Sequence, residues 1–276
     1  MDASRVLRTA LAALCISVFS AVSFAQAQKD FKPQVGQQGK DVVWVPTSQA
    51  LVDKMLDMAK VTPNDFVIDL GSGDGRTVIT AAQRGARALG IEYNPDMVEL
   101  SKRNASKEGV SNRASFMKAD LFESDFSQAS VITMFLLPSI NLKLRPKILD
   151  LKPGTRIVSN SFTMGEWKDD ETATLGEKAG CNSYCVAHLW IVPAKVEGTW
   201  KLAQGDLALK QEFQMVSGTL RSGANSTPVS GRLRGDEITF NAGSAQYTGR
   251  VSGDTMEGNL QSATAQTRWT ATRAAR

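Results

Sequence analysis

Three carboxylates and three glycines carry the chemistry that this sequence can do. Residues 69–76 read Asp-Leu-Gly-Ser-Gly-Asp-Gly-Arg. The apolar run Phe66-Val67-Ile68 before them reads as a buried parallel strand. Residues 77–84 after them carry Val78, Ile79 and Ala82 on one helical face, and Gly85 is placed to stop that helix. Gly71, Gly73 and Gly75 therefore fall in a strand-to-helix turn closed by Asp69. Glycine there lets the backbone approach a ligand and take φ values that other residues resist. Glu92 ends a second apolar strand, residues 87–91, about twenty residues beyond Gly71, where a carboxylate can accept both hydroxyl protons of a ribose. Asp120 ends a third strand, residues 116–120. One such acid is an ordinary solvated strand end. Three at successive strand ends beside a glycine turn point to a nucleotide-type cofactor.

The elements that must position these residues follow the same alternation. Thr47 is expected to cap a helix through Lys60 that turns Leu51, Met55, Leu56 and Ala59 inward. Thr62-Pro63-Asn64-Asp65 turns into the first strand. Asn94-Pro95-Asp96 starts a helix with proline at its first position, running to about Glu108 and stopped by Gly109. Residues 131–137 form an almost wholly apolar fourth strand ending at Pro138. A short helix with Leu142, Leu144 and Ile148 follows, and Lys152-Pro153-Gly154 turns into a fifth strand, residues 155–159. Strands alternating with helices predict an α/β fold, a mostly parallel sheet with helices on both faces.

The spacing G-x-G-x-G puts the third glycine one residue early for a dehydrogenase fingerprint. It resembles motif I of the class I S-adenosylmethionine (SAM)-dependent methyltransferases, which have a Rossmann-like sheet. Together with Val45-Pro46-Thr47, Glu92-Tyr93-Asn94-Pro95 and Asp120-Leu121-Phe122, it is similar to bacterial relatives of the mitochondrial protein-lysine methyltransferases, over roughly residues 44–168. The resemblance implies SAM as cofactor, held by Asp69, Gly71, Ser72, Gly73, Gly75, Glu92, Asp120 and Leu121, with Asp120 on the adenine amino group. Phe135-Leu136-Leu137-Pro138 stands where those enzymes carry a different apolar-Pro stretch. Leu137, Pro138, Phe162 and Trp167 are the candidates for lining a methyl-acceptor channel. The expected activity is methyl transfer by in-line displacement, with a protein lysine as the acceptor to test. A sulfonium methyl is already activated, so positioning suffices, and neither a nucleophilic Cys or Ser nor a metal is required.

His188, the single histidine, sits in the apolar run Val186-Ala187-His188-Leu189-Trp190 and reads as a strand histidine with a structural partner. Gly180-Cys181-Asn182-Ser183-Tyr184-Cys185 looks like a hairpin bend across which two cysteines could bridge. Zinc would need two further ligands nearby, and a C-x-x-C redox pair has different spacing.

Beyond Val196 helical periodicity disappears. Eight short strands recur between glycines, and Gly205-Asp206, Gly235-Asp236 and Gly253-Asp254 suit two-residue hairpin turns. Gly218, Gly231, Gly249 and Gly258 fall inside strands, where glycine is costly unless the sheet coils sharply. A small antiparallel β-barrel or β-meander over residues 196–276 satisfies this, after a methyltransferase domain over residues 28–195.

Residues 1–27 stand apart. Arg5 and Arg8 precede an apolar run, residues 10–24, and Ala25-Gln26-Ala27 reads as a cleavage site. This predicts a signal peptide and a periplasmic protein, or an anchor if the segment is retained. The 32 basic and 28 acidic residues include no dense basic run, which gives no argument for nucleic acid. The expected partners are SAM and a protein acceptor, with no membrane span after the leader. A non-catalytic envelope protein, binding a ligand or partner through the same fold and the β domain, is the alternative from another class.

Overall fold

The computed structural model describes residues 31–275; the expected leader lies outside them. From Pro33 onward the described residues form one compact unit. Its first half runs α1 (Gln49–Met58), β1 (Phe66–Leu70), α2 (Arg76–Gln83), β2 (Arg87–Glu92), α3 (Pro95–Lys107), β3 (Ala114–Lys118), β4 (Val131–Met134), α4 (Pro138–Leu149), β5 (Arg156–Asn160), β6 (Glu171–Thr174) and β7 (Val186–Ile191). The sheet order is β3-β2-β1-β4-β5-β7-β6. β1 to β5 are parallel, and β7 runs antiparallel to both β5 and β6. The chain leaves β1 for β2 on one side and returns to β4 on the other. That reversal opens a crevice at the C-terminal strand ends.

Alternation along the strands sorts the core onto two faces. Val67, Val131 and Val158 pack with Leu51, Val78 and Val98 of α1 to α3. Ile68, Ile132 and Ile157 pack with Leu144 and Ile148 of α4. Leu142 differs from the expectation and is 41 % exposed. The inward face of α4 is set by Ile140, Leu144 and Ile148 at four-residue spacing, and Leu142 falls on the opposite side.

Two boundaries also differ from the sequence reading. Ser48, not Thr47, caps α1, its hydroxyl accepting the Leu51 amide at 3.3 Å. Thr47 instead accepts from Asn160 Nδ2 at 3.1 Å. β4 stops at Met134 rather than Leu137, because its partner β1 ends at Leu70, opposite Met134, and turns away into the glycine loop. Phe135, Leu136 and Leu137 are thereby left without ladder partners on that side and border the crevice.

The second half is β8 (Gly198–Leu202), β9 (Gly205–Glu212), β10 (Met215–Ser222), β11 (Asn225–Arg234), β12 (Glu237–Ala242), β13 (Ala245–Ser252), β14 (Thr255–Gln261) and β15 (Gln266–Arg273). Each strand pairs antiparallel with the next, and β15 returns to β8, closing an eight-stranded barrel. Eight strands leave an interior that side chains fill. Trp200, Leu233, Ile238, Phe240, Tyr247 and Trp269 do so here, with Phe240 and Tyr247 stacked at 4.5 Å. Gly258 lies opposite Gly249 across β13 and β14. A Cβ on Gly258 would overlap the Thr248 carbonyl, so the barrel can coil this tightly only with glycine there. Gly235-Asp236 and Gly253-Asp254 form the expected two-residue turns, whereas Gly205 begins β9 and the turn before it is Ala203-Gln204.

Sheet and barrel meet through Phe213, in the β9–β10 turn. Its ring stacks on Trp167 at 6.1 Å and 11°. Gln214 Nε2 donates to the Lys168 carbonyl at 2.7 Å, and Arg232 pairs with Asp170.

Candidate active site

A cleft of about 350 Å³ opens over the C-terminal ends of β1, β2 and β4. Its floor is the glycine loop. The Gly71 and Ser72 amides donate to the Ile91 carbonyl at 2.9 and 3.1 Å, pinning the loop to β2. From α3, Ser101 Oγ donates to the Gly73 carbonyl and Asn104 Nδ2 to the Asp74 carbonyl, both at 2.9 Å. Arg76, the first residue of α2, forks onto the Asp74 carboxylate and also donates to the Thr47 carbonyl at 2.6 Å. The loop is therefore held from three sides.

Glu92 accepts the Gly73 amide on one carboxylate oxygen and the Asn94 amide on the other, each at 2.9 Å. Each oxygen keeps a further lone pair for a donor in the cleft. Asp69 lies deeper, 7 % exposed, and accepts from Thr133 Oγ1 at 2.6 Å. Burial pushes its carboxyl up to about 7; the Glu92 and Asp74 charges add to this and the Thr133 hydroxyl opposes it. Asp120 caps its own turn by accepting the Phe122 amide at 2.9 Å and pairs with Lys40. That Lys40 bond holds Asp120 below the usual carboxylate range.

Lys40 belongs to an element that the sequence reading passed over as a polar lead-in. Residues 36–44 form a narrow strap: the Gly36 amide donates to the Trp44 carbonyl at 2.8 Å, and the Trp44 amide to the Gln37 carbonyl at 2.9 Å. The strap crosses the cleft with Lys40 5.0 Å over the Tyr93 ring. Trp44 lies on Gly73 so closely that a Cβ there would stand 2.7 Å from its indole nitrogen. A lone tryptophan ahead of the first helix was the one sequence signal for it.

Of the residues singled out from sequence, the cleft brings together Asp69, Gly71, Ser72, Gly73, Glu92, Asp120, Leu121, Leu137 and Phe162. Gly75 lies beneath the loop, where a Cβ would come within 2.8 Å of Phe116 and Ser101, so it serves helix–strand packing. Pro138 starts α4 beside the cleft without lining it. Trp167 does not line it either. It is fully buried between Trp190 and Phe213, because the barrel covers the face that would have been free. His188 bonds Asp169 at 3.1 Å outside the cleft. Phe135 and Tyr184 line the cleft and were not singled out for it. Cys181 and Cys185 form a disulfide.

The residues present fit a SAM-type cofactor. Ser72 Oγ is buried with no hydrogen-bond partner among the described residues. Beside it stand an acceptor carboxylate with free lone pairs and a glycine floor with left-handed φ at Gly71 and Gly73. Among the described residues no helix is long and apolar enough to cross a membrane.

Known proteins agree with this geometry. The ANTKMT methyltransferase domain family matches residues 69–171. A protein-lysine N-methyltransferase of Saccharolobus islandicus is 46 % identical over 133 residues, covering 47 % of this chain and 83 % of that protein. The human ATP synthase lysine N-methyltransferase is 34 % identical over 134 residues, which span 48 % of this chain and 57 % of its own length. An RNA methyltransferase from Salinibacter ruber, solved with S-adenosyl-L-homocysteine (SAH), is 45 % identical, with a TM-score of 0.51 over 55 % of this chain and 96 % of that one. These relatives are enzymes, which favours catalysis over the non-catalytic alternative. The chain belongs to the class I SAM-dependent methyltransferases, in the family related to the mitochondrial protein-lysine methyltransferases.

Proposed function

We propose that this methyltransferase acts on a lysine side chain of a protein, by in-line displacement at the crevice end nearest β4 and β5. The observation that carries the reading is the division of the cleft. Its hydrogen-bonding carboxylates, Glu92 and Asp120, stand at the ends of β2 and β3. The lining from β4 and β5 is apolar and includes Phe135, Leu137 and Phe162. Glu92 would take the ribose hydroxyls, Asp120 the adenine edge, and the glycine loop the backbone of the amino-acid part. The cofactor supplies an activated methyl group. What remains for this chain is to hold the acceptor in line and exclude water. The names of the archaeal and human relatives support lysine as acceptor, and that of the bacterial relative keeps RNA as the outcome to exclude.

Two measurements test the reading. Glu92→Ala should weaken SAM binding by roughly 1.5–3 kcal/mol, the scale of charge-assisted hydrogen bonds; an unchanged affinity in a folded variant would remove Glu92 from the site. Radiolabelled methyl transferred from SAM into an extract should be protease-sensitive and map to lysine by mass spectrometry. Nuclease-sensitive label would sink the lysine assignment.

The same reading includes export of the chain, directed by residues 1–27. The Cys181–Cys185 disulfide supports an oxidising compartment. An alkaline-phosphatase fusion to the leader should be active; an inactive fusion with an intact N-terminus would contradict export.

A further inference from the structure

Phe135, Phe162 and Tyr184 come from three separate connections, those after β4 and β5 and the one between β6 and β7, yet their rings form one wall. Phe135 and Phe162 lie 6.0 Å apart and nearly parallel; Tyr184 stands edge-on to Phe135 at 5.1 Å and 6.1 Å from Phe162. All three line the cleft. Tyr184 is the least supported by packing, 47 % exposed and with φ of +53°. The Cys181–Cys185 bond ties off the short loop that carries it, and Cys181 is itself buried. The cleft lining contributed by β4, β5, α4 and the β6–β7 connection contains no carboxylate. A cation arriving there meets ring faces rather than a counter-ion, which is the setting for cation–π attraction.

We propose that Tyr184, fixed by the disulfide against Phe135 and Phe162, is a specificity-determining residue: the wall selects an alkylammonium acceptor over a neutral group of the same shape. The inference rests on the cofactor orientation proposed above, with the nucleoside over β2 and β3 and the methyl end towards β4. An amine reaches the cleft as a cation and loses a proton to water before transfer. Its lone pair then forms the N–C bond as the S–C bond breaks, and the positive charge passes from sulfur to nitrogen. The substrate is thus cationic on arrival and on departure, and the wall serves both states.

The test uses the full chain saturated with SAH and two isosteric probes, choline and its neutral analogue 3,3-dimethylbutan-1-ol, titrated by NMR. Choline should bind roughly three- to thirty-fold more tightly. Tyr184→Ala and the Cys181→Ser/Cys185→Ser double variant should abolish that preference, Tyr184→Phe should keep it, and SAH affinity should be unchanged in all three. Equal affinity for the probes, no choline binding, or a preference surviving Tyr184→Ala overturns the proposal while leaving the cofactor reading intact. A Tyr184→Ala variant that loses affinity for SAM but not for SAH also overturns it, because the wall would then serve the sulfonium. Failure of the unmodified chain to bind SAH would instead refute the cofactor reading beneath it.

Discussion

The sheet and the barrel spend their interiors differently. In the sheet, strands stop at staggered points and the chain beyond them is left unpaired, so backbone amides, carboxylates and aromatic rings converge on open space. In the barrel every strand finds two partners and the inward side chains fill the centre. The buried polar side chains follow the same division. Asp69, Ser72, Ser101, Thr133 and Asn160 lie in the sheet half, and only Gln214, in a turn facing the sheet, belongs to the barrel. Closure removes edges and gives stability; leaving strand ends uncovered gives a site.

The largest test of that contrast breaks the closure. Gly258→Val would drive a side chain into the Thr248 carbonyl and the Gly249 backbone, and should cost more than about 4 kcal/mol in the barrel's transition. If the sheet is a domain in its own right, SAH binding survives at temperatures where the barrel is unfolded. Simultaneous loss of both in denaturant melts would show that the two halves fold as one.

Next in size is the cost of the buried charge. The folded-state carboxyl of Asp69 is raised to about 7 from an ordinary value of 3.8, so its contribution is fully present below 3.8 and is lost as pH rises through 7. Stability measured against Asp69→Asn should therefore favour the wild type progressively as pH falls from 7 towards 4, and the difference should be flat above 8. Asp65 and Asp169, both lowered, slope the other way in both proteins and cancel in the comparison. A difference independent of pH would mean that Asp69 is solvated.

A smaller effect probes the junction. Phe213→Ala uncovers one face of Trp167, and for a half-buried ring the loss should be about 2 kcal/mol by urea unfolding, with the two halves melting further apart. Coincident transitions of unchanged midpoint would show that the junction carries no coupling.

These outcomes bear on what the sequence could disclose. The glycine turn, Glu92 and the alternating strands were legible because each is local: a strand end, a capping Asn94, a period of two or 3.6. The eight barrel strands were legible for the same reason, and the choice between barrel and meander was settled only by the β15–β8 pairing. Trp167 was misplaced because its environment is made by Phe213, 46 residues away. Phe135 and Tyr184 escaped notice because the wall is assembled from three connections whose proximity no periodicity encodes. The strap escaped because polar residues with two backbone hydrogen bonds resemble a solvated tail until their partner, Asp120, is seen beside them.

The strap gives the smallest expected effect and the most direct view of how the open half is covered. Lys40 is about a third exposed, and its partner Asp120 is a quarter exposed, so solvent screens the pair and its contribution to stability is slight. Its kinetic role can still be measured, because Asp120 cannot offer the same oxygen to an adenine amino group while Lys40 holds it. Breaking the pair should leave the melting temperature unchanged and raise the rate of SAH release about two- to five-fold at low salt, the factor expected of an exposed ion pair. The wild type should approach the Lys40→Ala rate as salt shortens the screening length, while the variant stays insensitive to salt. Stopped-flow displacement of SAH reads both arms. Equal release rates at low salt would mean that the strap is held by Trp44 on Gly73 alone, and Trp44→Ala should then carry the whole effect.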